Sequence, residues 1–334
     1  MTAQGIAIDG ASNAAEEQPV EGIKPGIWVG GPLAAAYRRE YLTLSGVKWA
    51  GAIGAIIWML VYGSGWVEWT GFLALYIMNM LGISLGYHRL FAHRAFKTSQ
   101  AMEYILGAMA AMVAVGSVIK WSIDHRRHHR YTDRPGDAHS PFYDSFGKPM
   151  TGFRGFYMAH FGWVLDETYT DVKVYGRGLI DSPAAVFCSR TRWWWFFASL
   201  VVMPALWWLA FGSTWQQLVG TILIAGGLRS LIVLHVFLSL ASFGHVTGYQ
   251  NFKGKQNSRN NWFMSILMLG EGWHNNHHHH ARAADFRIRW YEYDPSGWVI
   301  WLLEKVGLVW DVKWMPKYVV DKNGEVVLDM SADN

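Results

Sequence analysis

The sequence predicts an all-α, multi-pass membrane protein with four transmembrane helices, arranged as two hairpins, and a helical cap on the cytoplasmic side. Three observations support this prediction: long segments without charged residues, tryptophans at the ends of those segments, and lysine and arginine confined to the remaining segments. Apolar residues make up 51% of the chain and aromatic residues 16%, which favours a membrane protein over a tryptophan-rich soluble core.

Two pairs of uncharged segments form the predicted hairpins. Residues 49–67 and 69–87 are uncharged and are separated only by Glu68. Each segment is close to the length of about 20 residues that a bilayer-spanning helix needs. The second pair runs from residue 193 past Arg229 to about His245, with its turn at residues 211–214. The predicted spans are about 47–66, 69–88, 193–211 and 216–245.

Positive charge predicts the orientation and the domain boundaries. Lysine and arginine are absent from both short hairpin turns but populate the other segments, so those segments and both termini are expected to be cytoplasmic. If the source is bacterial, the membrane is the plasma or inner membrane. We expect one domain over residues 26–320, with its cap at 89–192 and 246–320, a disordered tail at 1–25 and a C-terminal tail at 321–334. The basic balance suits an anionic membrane surface and requires no nucleic acid.

Eight histidines form three clusters beside these spans. They are His88 and His93, then His125, His128 and His129, then His274, His277 and His278. In a helix, residues three and four apart project from one side, so a His-x-x-His-His run directs three imidazoles into about a 100° sector. A single tetrahedral zinc takes about four ligands, so this number of histidines favours two metal ions of higher coordination number. The cap is therefore predicted to hold a dimetal site.

Residues 104–119 form another apolar, uncharged run that is nearly long enough to cross a bilayer. A crossing there would separate His88 and His93 from His125 by the width of the membrane. We therefore expect an interfacial or protein-buried helix at this place.

Three motifs carry a resemblance to a known family: GYHRLFAH at 86–93, DHRRHHRYTD at 124–133 and GEGWHNNHH at 270–278. They resemble the histidine boxes of the membrane fatty acid desaturases, specifically the stearoyl-CoA (Δ9) branch of bacterial type. The likeness extends through residues 137–139, 160–163 and 258–262 and covers nearly everything from 40 to 315.

The resemblance implies an oxygen-dependent fatty acyl desaturase that introduces a cis double bond, at Δ9, into a saturated acyl chain. It implies two iron ions held by histidines, with O2 as co-substrate and no catalytic residue beyond the metal ligands. His245 stands where the family has a ninth ligand, and Trp121 is implied as a wall of the acyl tunnel. The family commonly has an asparagine where this chain has Ala241, so that water-mediated contact is missing or supplied differently.

The acyl carrier and the electron donor are not specified by the motifs. Ile123 and Glu167-Thr168 replace basic residues that animal acyl-CoA desaturases have, so coenzyme A, a lipid and a carrier protein all stay open. The chain has one cysteine, Cys188, and no dinucleotide or fused haem motif, so a separate ferredoxin-like or b-type cytochrome donor with its reductase is expected. Three arginines beside the second box could bind an acidic donor protein, support the fold of the cap or contact lipid head groups: Arg126, Arg127 and Arg130.

Two other functions are weighed against desaturation. A di-iron membrane hydroxylase of an alkyl or acyl chain would use similar ligands but has differently spaced boxes. A non-enzymatic metal carrier would place ionisable residues inside its spans rather than cluster histidines at one face. The remaining histidines are expected to be structural: His139, His160, His235, His279 and His280.

Overall fold

The computed structural model describes residues 24–254, 256–322 and 324–329, and these ranges are mostly helical. Residues 1–23 of the predicted disordered tail lie outside them. The helices are α1 (Gly31–Tyr62), α2 (Trp66–Ala92), α3 (Gln100–Ala111), α4 (Val118–Tyr131), α5 (Gly152–His160), α6 (Val172–Tyr175), α7 (Pro183–Arg190), α8 (Arg192–Phe211), α9 (Trp215–Val246), α10 (Trp262–Leu267), α11 (His274–His279) and α12 (Pro295–Lys305).

Short strands tie distant segments together around the helices. They are β1 (Ile27–Val29), β2 (Lys97–Thr98), β3 (Thr168–Thr170), β4 (Val309–Trp310), β5 (Tyr318–Val320) and β6 (Val326–Leu328). The antiparallel pairs are β1 with β3, β2 with β4, and β5 with β6. The first two pairs join the segment before α1 and the segment after α12 to segments of the cap.

Within the described ranges, α1, α2, α8 and α9 are long and apolar enough to cross a membrane, which confirms the prediction of four long apolar helices. Helix α1 begins at Gly31, before the expected span boundary at residue 47, and Pro32 in its first turn suits helix initiation. The residues between 31 and 47 include charged side chains, so the sequence pattern alone did not assign them to the same helix.

Helix α3 covers residues 104–111 of the apolar run at 104–119 and is too short to cross a membrane. It ends at Ala111, and the side chain of Ser117 caps the next helix. Its 12 residues span about 18 Å, less than the roughly 30 Å of a hydrocarbon core. It packs tightly against α2, because a Cβ at Gly82 or Gly86 would lie 2.5 Å from a carbonyl oxygen of α3.

The end of α2 that carries the first histidines is wound as a wide, π-type helix over Gly82–Ala92. The amide of His93 donates to the carbonyl of His88 at 3.0 Å, a hydrogen bond across five residues. Such a turn brings residues five apart to the same side of the helix. It therefore aligns His88 with His93, whose separation does not suit an ordinary α-helix.

Candidate metal centre

The first group of histidines combines all three sequence clusters. Its members are His88 and His93 from the wide turn of α2, His125 and His129 from α4, and His277 from α11. Their ligand nitrogens all lie within 4.8 Å of one another, and neighbouring Nε2 atoms are 2.8–3.0 Å apart. We call this set the five-histidine group.

The second group consists of His128, His245, His274 and His278. Its neighbouring Nε2 atoms are 3.0–3.3 Å apart. His245 comes from the last turn of α9, and the others come from α4 and α11. We call this set the four-histidine group. The structure thus brings all nine predicted ligands together in two adjacent groups.

Helices α4 and α11 each serve both groups, and they do so in opposite senses. In α4, His125 and His129, which are four residues apart, belong to the five-histidine group, and His128 belongs to the four-histidine group. In α11, His274 and His278, which are four residues apart, belong to the four-histidine group, and His277 belongs to the five-histidine group. Successive helical residues are rotated by about 100°, so the three imidazoles of a His-x-x-His-His run spread over about a 100° sector and can serve two adjacent groups.

Buried carboxylates orient three of the histidine rings from behind. His88 Nδ1 contacts Glu271, His128 Nδ1 lies 2.7 Å from Asp137, and His245 Nδ1 lies 3.0 Å from Asp133. A carboxylate accepts the Nδ1 proton and leaves the Nε2 lone pair free to face the centre.

The carboxylates themselves stay ionised. Burial opposes ionisation, but the adjacent His128 ring lowers the pKa of Asp137, and the His88 and Arg89 side chains lower the pKa of Glu271 to about 2. Each carboxylate therefore remains a hydrogen-bond acceptor at neutral pH.

Arg89 anchors Glu271 at the base of the five-histidine group. Its fully buried guanidinium donates to Glu271 at 3.1 Å and to Asp294 at 2.9 Å. It also donates to the carbonyl of Ala284 at 2.6 Å and lies 4.1 Å from the ring centroid of Phe286. The pairing of opposite charges satisfies groups that would otherwise be costly to bury.

The nitrogen arrangement fits two metal ions. Six of the nine predicted ligands have a pKa well below the ordinary value for histidine, because they are buried and lie beside other histidines: His93, His125, His129, His274, His277 and His278. These rings are therefore neutral at physiological pH. Unprotonated Nε2 atoms about 3 Å apart repel one another unless a cation lies between them. Neutral imidazoles are good ligands for iron, zinc and copper.

An apolar cavity lies directly above both groups. Residues of both groups form part of its wall, together with Trp121 and Ala241. The Trp121 ring stacks between Tyr87, at 5.0 Å between centroids, and His125, at 4.8 Å. The predicted tunnel residue therefore lines the cavity and contacts one ligand of the five-histidine group.

A second cavity adjoins the first and has a polar lining. The two share Val115, Asp124 and Trp163 in their walls. The charged residues that line the second cavity include Arg38, Glu40, Lys120, Arg127 and Asp166. A cavity lined by charged residues and an apolar cavity lined by histidines thus share part of their walls.

The three orienting carboxylates, Asp133, Asp137 and Glu271, lie within the sequence motifs, but the motifs did not predict their role. An acidic residue beside each of the second and third boxes was the available signal. Among the histidines expected to be structural, His160 and His235 bond to each other at 3.1 Å, and the exposed His279 stacks on Phe252. Arg127 is buried and donates to the Gly136 carbonyl, so it supports the cap rather than a docking surface.

The comparisons with known proteins agree with this site. The fatty acid desaturase family model matches residues 64–311. The chain is 37% identical over 276 residues to a hex-5-enoyl-[acyl-carrier protein] acetylenase of Moorena producens, covering 82% of this chain and 86% of that protein.

Two further relatives carry desaturase names. A probable acyl-CoA desaturase of Schizosaccharomyces pombe is 34% identical over 74% of this chain and 49% of its own length. An sn-1 stearoyl-lipid 9-desaturase of Synechocystis is 29% identical over 74% of this chain and 71% of its own length. With its spans, its histidine groups and these matches, the chain belongs to the fatty acid desaturase family of membrane oxidoreductases.

Proposed function

We propose that this protein introduces a cis double bond at Δ9 of a saturated acyl chain, using O2 and two iron ions held by the nine histidines. The observation that carries this proposal is the position of both histidine groups in the wall of one apolar cavity. An alkyl chain in that cavity would lie against both groups at once.

The proposed reaction converts an acyl –CH2–CH2– unit into –CH=CH–. Two electrons, two protons and one O2 are consumed, and two molecules of water are formed. Iron supplies the oxidising power that no side chain has, because it activates O2. The histidines hold the ions, the buried carboxylates fix the ring orientations, and the apolar wall excludes bulk water from the methylenes.

The electrons require a donor protein, because the sequence contains no flavin, haem or iron-sulfur motif of the kinds described above. We propose a ferredoxin-like protein or a b-type cytochrome, reduced by its own reductase, that docks on the side of the membrane where the histidines lie. We propose that this side is the cytoplasmic one, because the segments rich in lysine and arginine lie there.

For the acyl carrier, the charges at the second cavity favour a membrane lipid over coenzyme A. Lys120 is paired with Asp124, and Arg38 lies 3.8 Å from Glu167. Cations that already face carboxylates offer less attraction to the several phosphates of coenzyme A. A Glu167→Gln variant should therefore increase the rate with stearoyl-CoA and leave the rate with a stearoyl phospholipid unchanged. An unchanged stearoyl-CoA rate would remove this support for a lipid substrate.

A second candidate activity is formation of a triple bond from an existing double bond. The relative at 37% identity is named an acetylenase, and the same removal of two hydrogens from a monounsaturated chain gives an alkyne. The two activities differ only in the acyl chain that the cavity accepts, so a single experiment separates them.

The test is expression in a desaturase-deficient host, with fatty acids identified by gas chromatography and mass spectrometry and lipid classes separated. We expect a new cis-9 monounsaturated acid in the host lipids. A hydroxylated acid would instead assign hydroxylase activity, and an alkyne from added monounsaturated acid would assign acetylenase activity. Co-expression with a ferredoxin and its reductase keeps a missing donor from being mistaken for an inactive protein.

A further inference from the structure

The segment between α9 and the third histidine cluster runs alongside the spanning helices. After α9 ends at Val246, α10 and α11 follow. The Asn261 amide donates to the Gly272 carbonyl at 2.8 Å, so the segment between these two residues folds back on itself. Its apolar run, residues 262–270, contains no charged residue. Three large side chains of α10 are at least half exposed: Trp262 at 62%, Phe263 at 52% and Ile266 at 50%.

Hydrogen bonds to the spans fix the depth of this segment. The Tyr76 hydroxyl, in the middle of α2, donates to the Leu267 carbonyl at 2.8 Å. Tyr76 lies ten residues after Trp66, which is about 15 Å along the helix and about half of a 30 Å hydrocarbon core. The Ser239 hydroxyl, in α9, contacts the Met264 sulfur at 3.0 Å. Both contacts place α10 beside the spans and not above them.

Several backbone carbonyls of this segment accept hydrogen bonds from other protein groups and need no water. The carbonyl of Trp262 accepts from the Tyr293 hydroxyl, the carbonyl of Leu267 from Tyr76, and the carbonyl of Leu269 from the Ser296 amide. At the N-terminal end of α10, the Asn261 side chain accepts a hydrogen bond from the Met264 amide and caps the helix. Irregular backbone is tolerated at membrane depth only when its polar groups are satisfied by protein in this way.

The exposed face of α10 also continues the lipid-facing surface of the spans. On α2 the exposed apolar stripe is formed by Trp69, Leu73 and Ile77, and beyond Ile77 the helix is covered by protein. On α9 the neighbouring exposed residues are Phe243 and Val246. The two spans that α10 contacts through Tyr76 and Ser239 therefore also carry exposed apolar side chains.

We propose that residues 261–269 form a hairpin inserted into the hydrocarbon of the leaflet nearest the histidines, with Trp262, Phe263 and Ile266 in contact with acyl chains. The occupant of this face is lipid, because the depth, the absence of charge and the satisfied carbonyls all suit hydrocarbon. The third histidine cluster begins directly after this hairpin, so two of the structural supports of the metal centre, α9 and α10, stand in the membrane.

Spin labelling of the full-length protein in phospholipid nanodiscs tests the proposal. In a Cys188→Ser background, which removes the one native cysteine, Phe263→Cys and Ile266→Cys are labelled and their collision rates with O2 and with a nickel chelate are measured. Leu73→Cys, on the exposed stripe of α2, is the lipid control. Trp290→Cys, at a residue 95% exposed on the cap, is the water control.

We expect the O2-to-nickel accessibility ratio at residues 263 and 266 to match that at residue 73 and to exceed that at residue 290 several-fold. A ratio equal to that at residue 290 would overturn the proposal, because it places α10 in water. Low accessibility to both reagents would also overturn it, because the face would then be covered by protein. Trp262→Cys provides a third position if either variant fails to assemble.

Discussion

The two histidine groups differ in how their ligands are supplied and supported. The five-histidine group has more ligands and one orienting carboxylate, Glu271. The four-histidine group has fewer ligands, but two of them are held by carboxylates, Asp137 and Asp133. A metal ion with about six coordination positions would keep one open position in the first group and two in the second. Rigid support thus accompanies the group with the larger number of open positions.

Removing a ligand from the five-histidine group should have the largest effect. His277 Nε2 lies 2.9 Å from that of His88 and 2.8 Å from that of His129, so His277→Ala leaves only four ligands there. We expect the five-histidine group to hold its metal more weakly and desaturation to become undetectable, while the protein still inserts in the membrane. Elemental analysis and the fatty acid profile measure both effects.

His279→Ala is the matched control for that experiment, because it changes the same helix on its exposed side. It should keep both metal and activity. If His277→Ala retained full desaturation, the assignment of His277 as a ligand would be wrong.

Loss of a supporting carboxylate should have the next largest effect, confined to the four-histidine group. Asp133→Asn weakens the acceptor for His245 Nδ1, and such changes typically cost 10–100-fold in metal affinity. We expect a chelator titration to show one weakened site and one unchanged site. Asp144→Asn, in an exposed loop, is the control, and equal weakening of both sites would contradict independent support of the two groups.

A change in the cavity wall should act on the substrate without removing metal. Trp121→Ala removes the ring that stacks on His125 and enlarges the apolar cavity. We expect a lower rate and a broader distribution of double-bond positions at normal metal content, measured by mass spectrometry of the products. Trp121→Phe should retain the original position, and an unaltered product from the alanine variant would show that Trp121 does not set the register of the chain.

The smallest effect is expected from adding a polar group beside the four-histidine group. Ala241 lines the cavity there, and Ala241→Asn places an amide able to hold a water near an open metal position. We expect slower release of metal to a chelator from that group only. Ala241→Leu, similar in volume but without the amide, should not slow release; if it does, filling of the cavity explains the effect.

The sequence predicted the features that depend on local pattern. Uncharged runs of bilayer length gave the four long helices, and the motifs gave the family, both of which are confirmed. The beginning of α1 at Gly31 was not predicted, because Arg38, Arg39 and Glu40 interrupt the apolar pattern although they do not interrupt a helix. Hydropathy reports the part of a helix that lies in lipid and not the part that continues beyond it.

Tertiary pairing explains what local pattern could not supply. Asp133 and His245 are 112 residues apart in sequence, and Ser84 and Glu271 are 187 apart, so no spacing rule connects them. The division of each His-x-x-His-His run between two groups also depends on which helices face each other. The metal-binding role of the nine histidines stays a prediction, and the experiments above test it.

The wide turn of α2 acts as a change of rotational phase within one helix. Before it, Trp69, Leu73 and Ile77 recur every four residues on one exposed face, whereas the wide segment itself, Gly82–Ala92, is buried throughout. One additional residue per turn offsets everything beyond it by about 100° from an uninterrupted α-helix. A single-residue deletion between residues 82 and 87 would keep the apolar composition of the helix, yet it would rotate the first histidine pair by about 100° away from its partners.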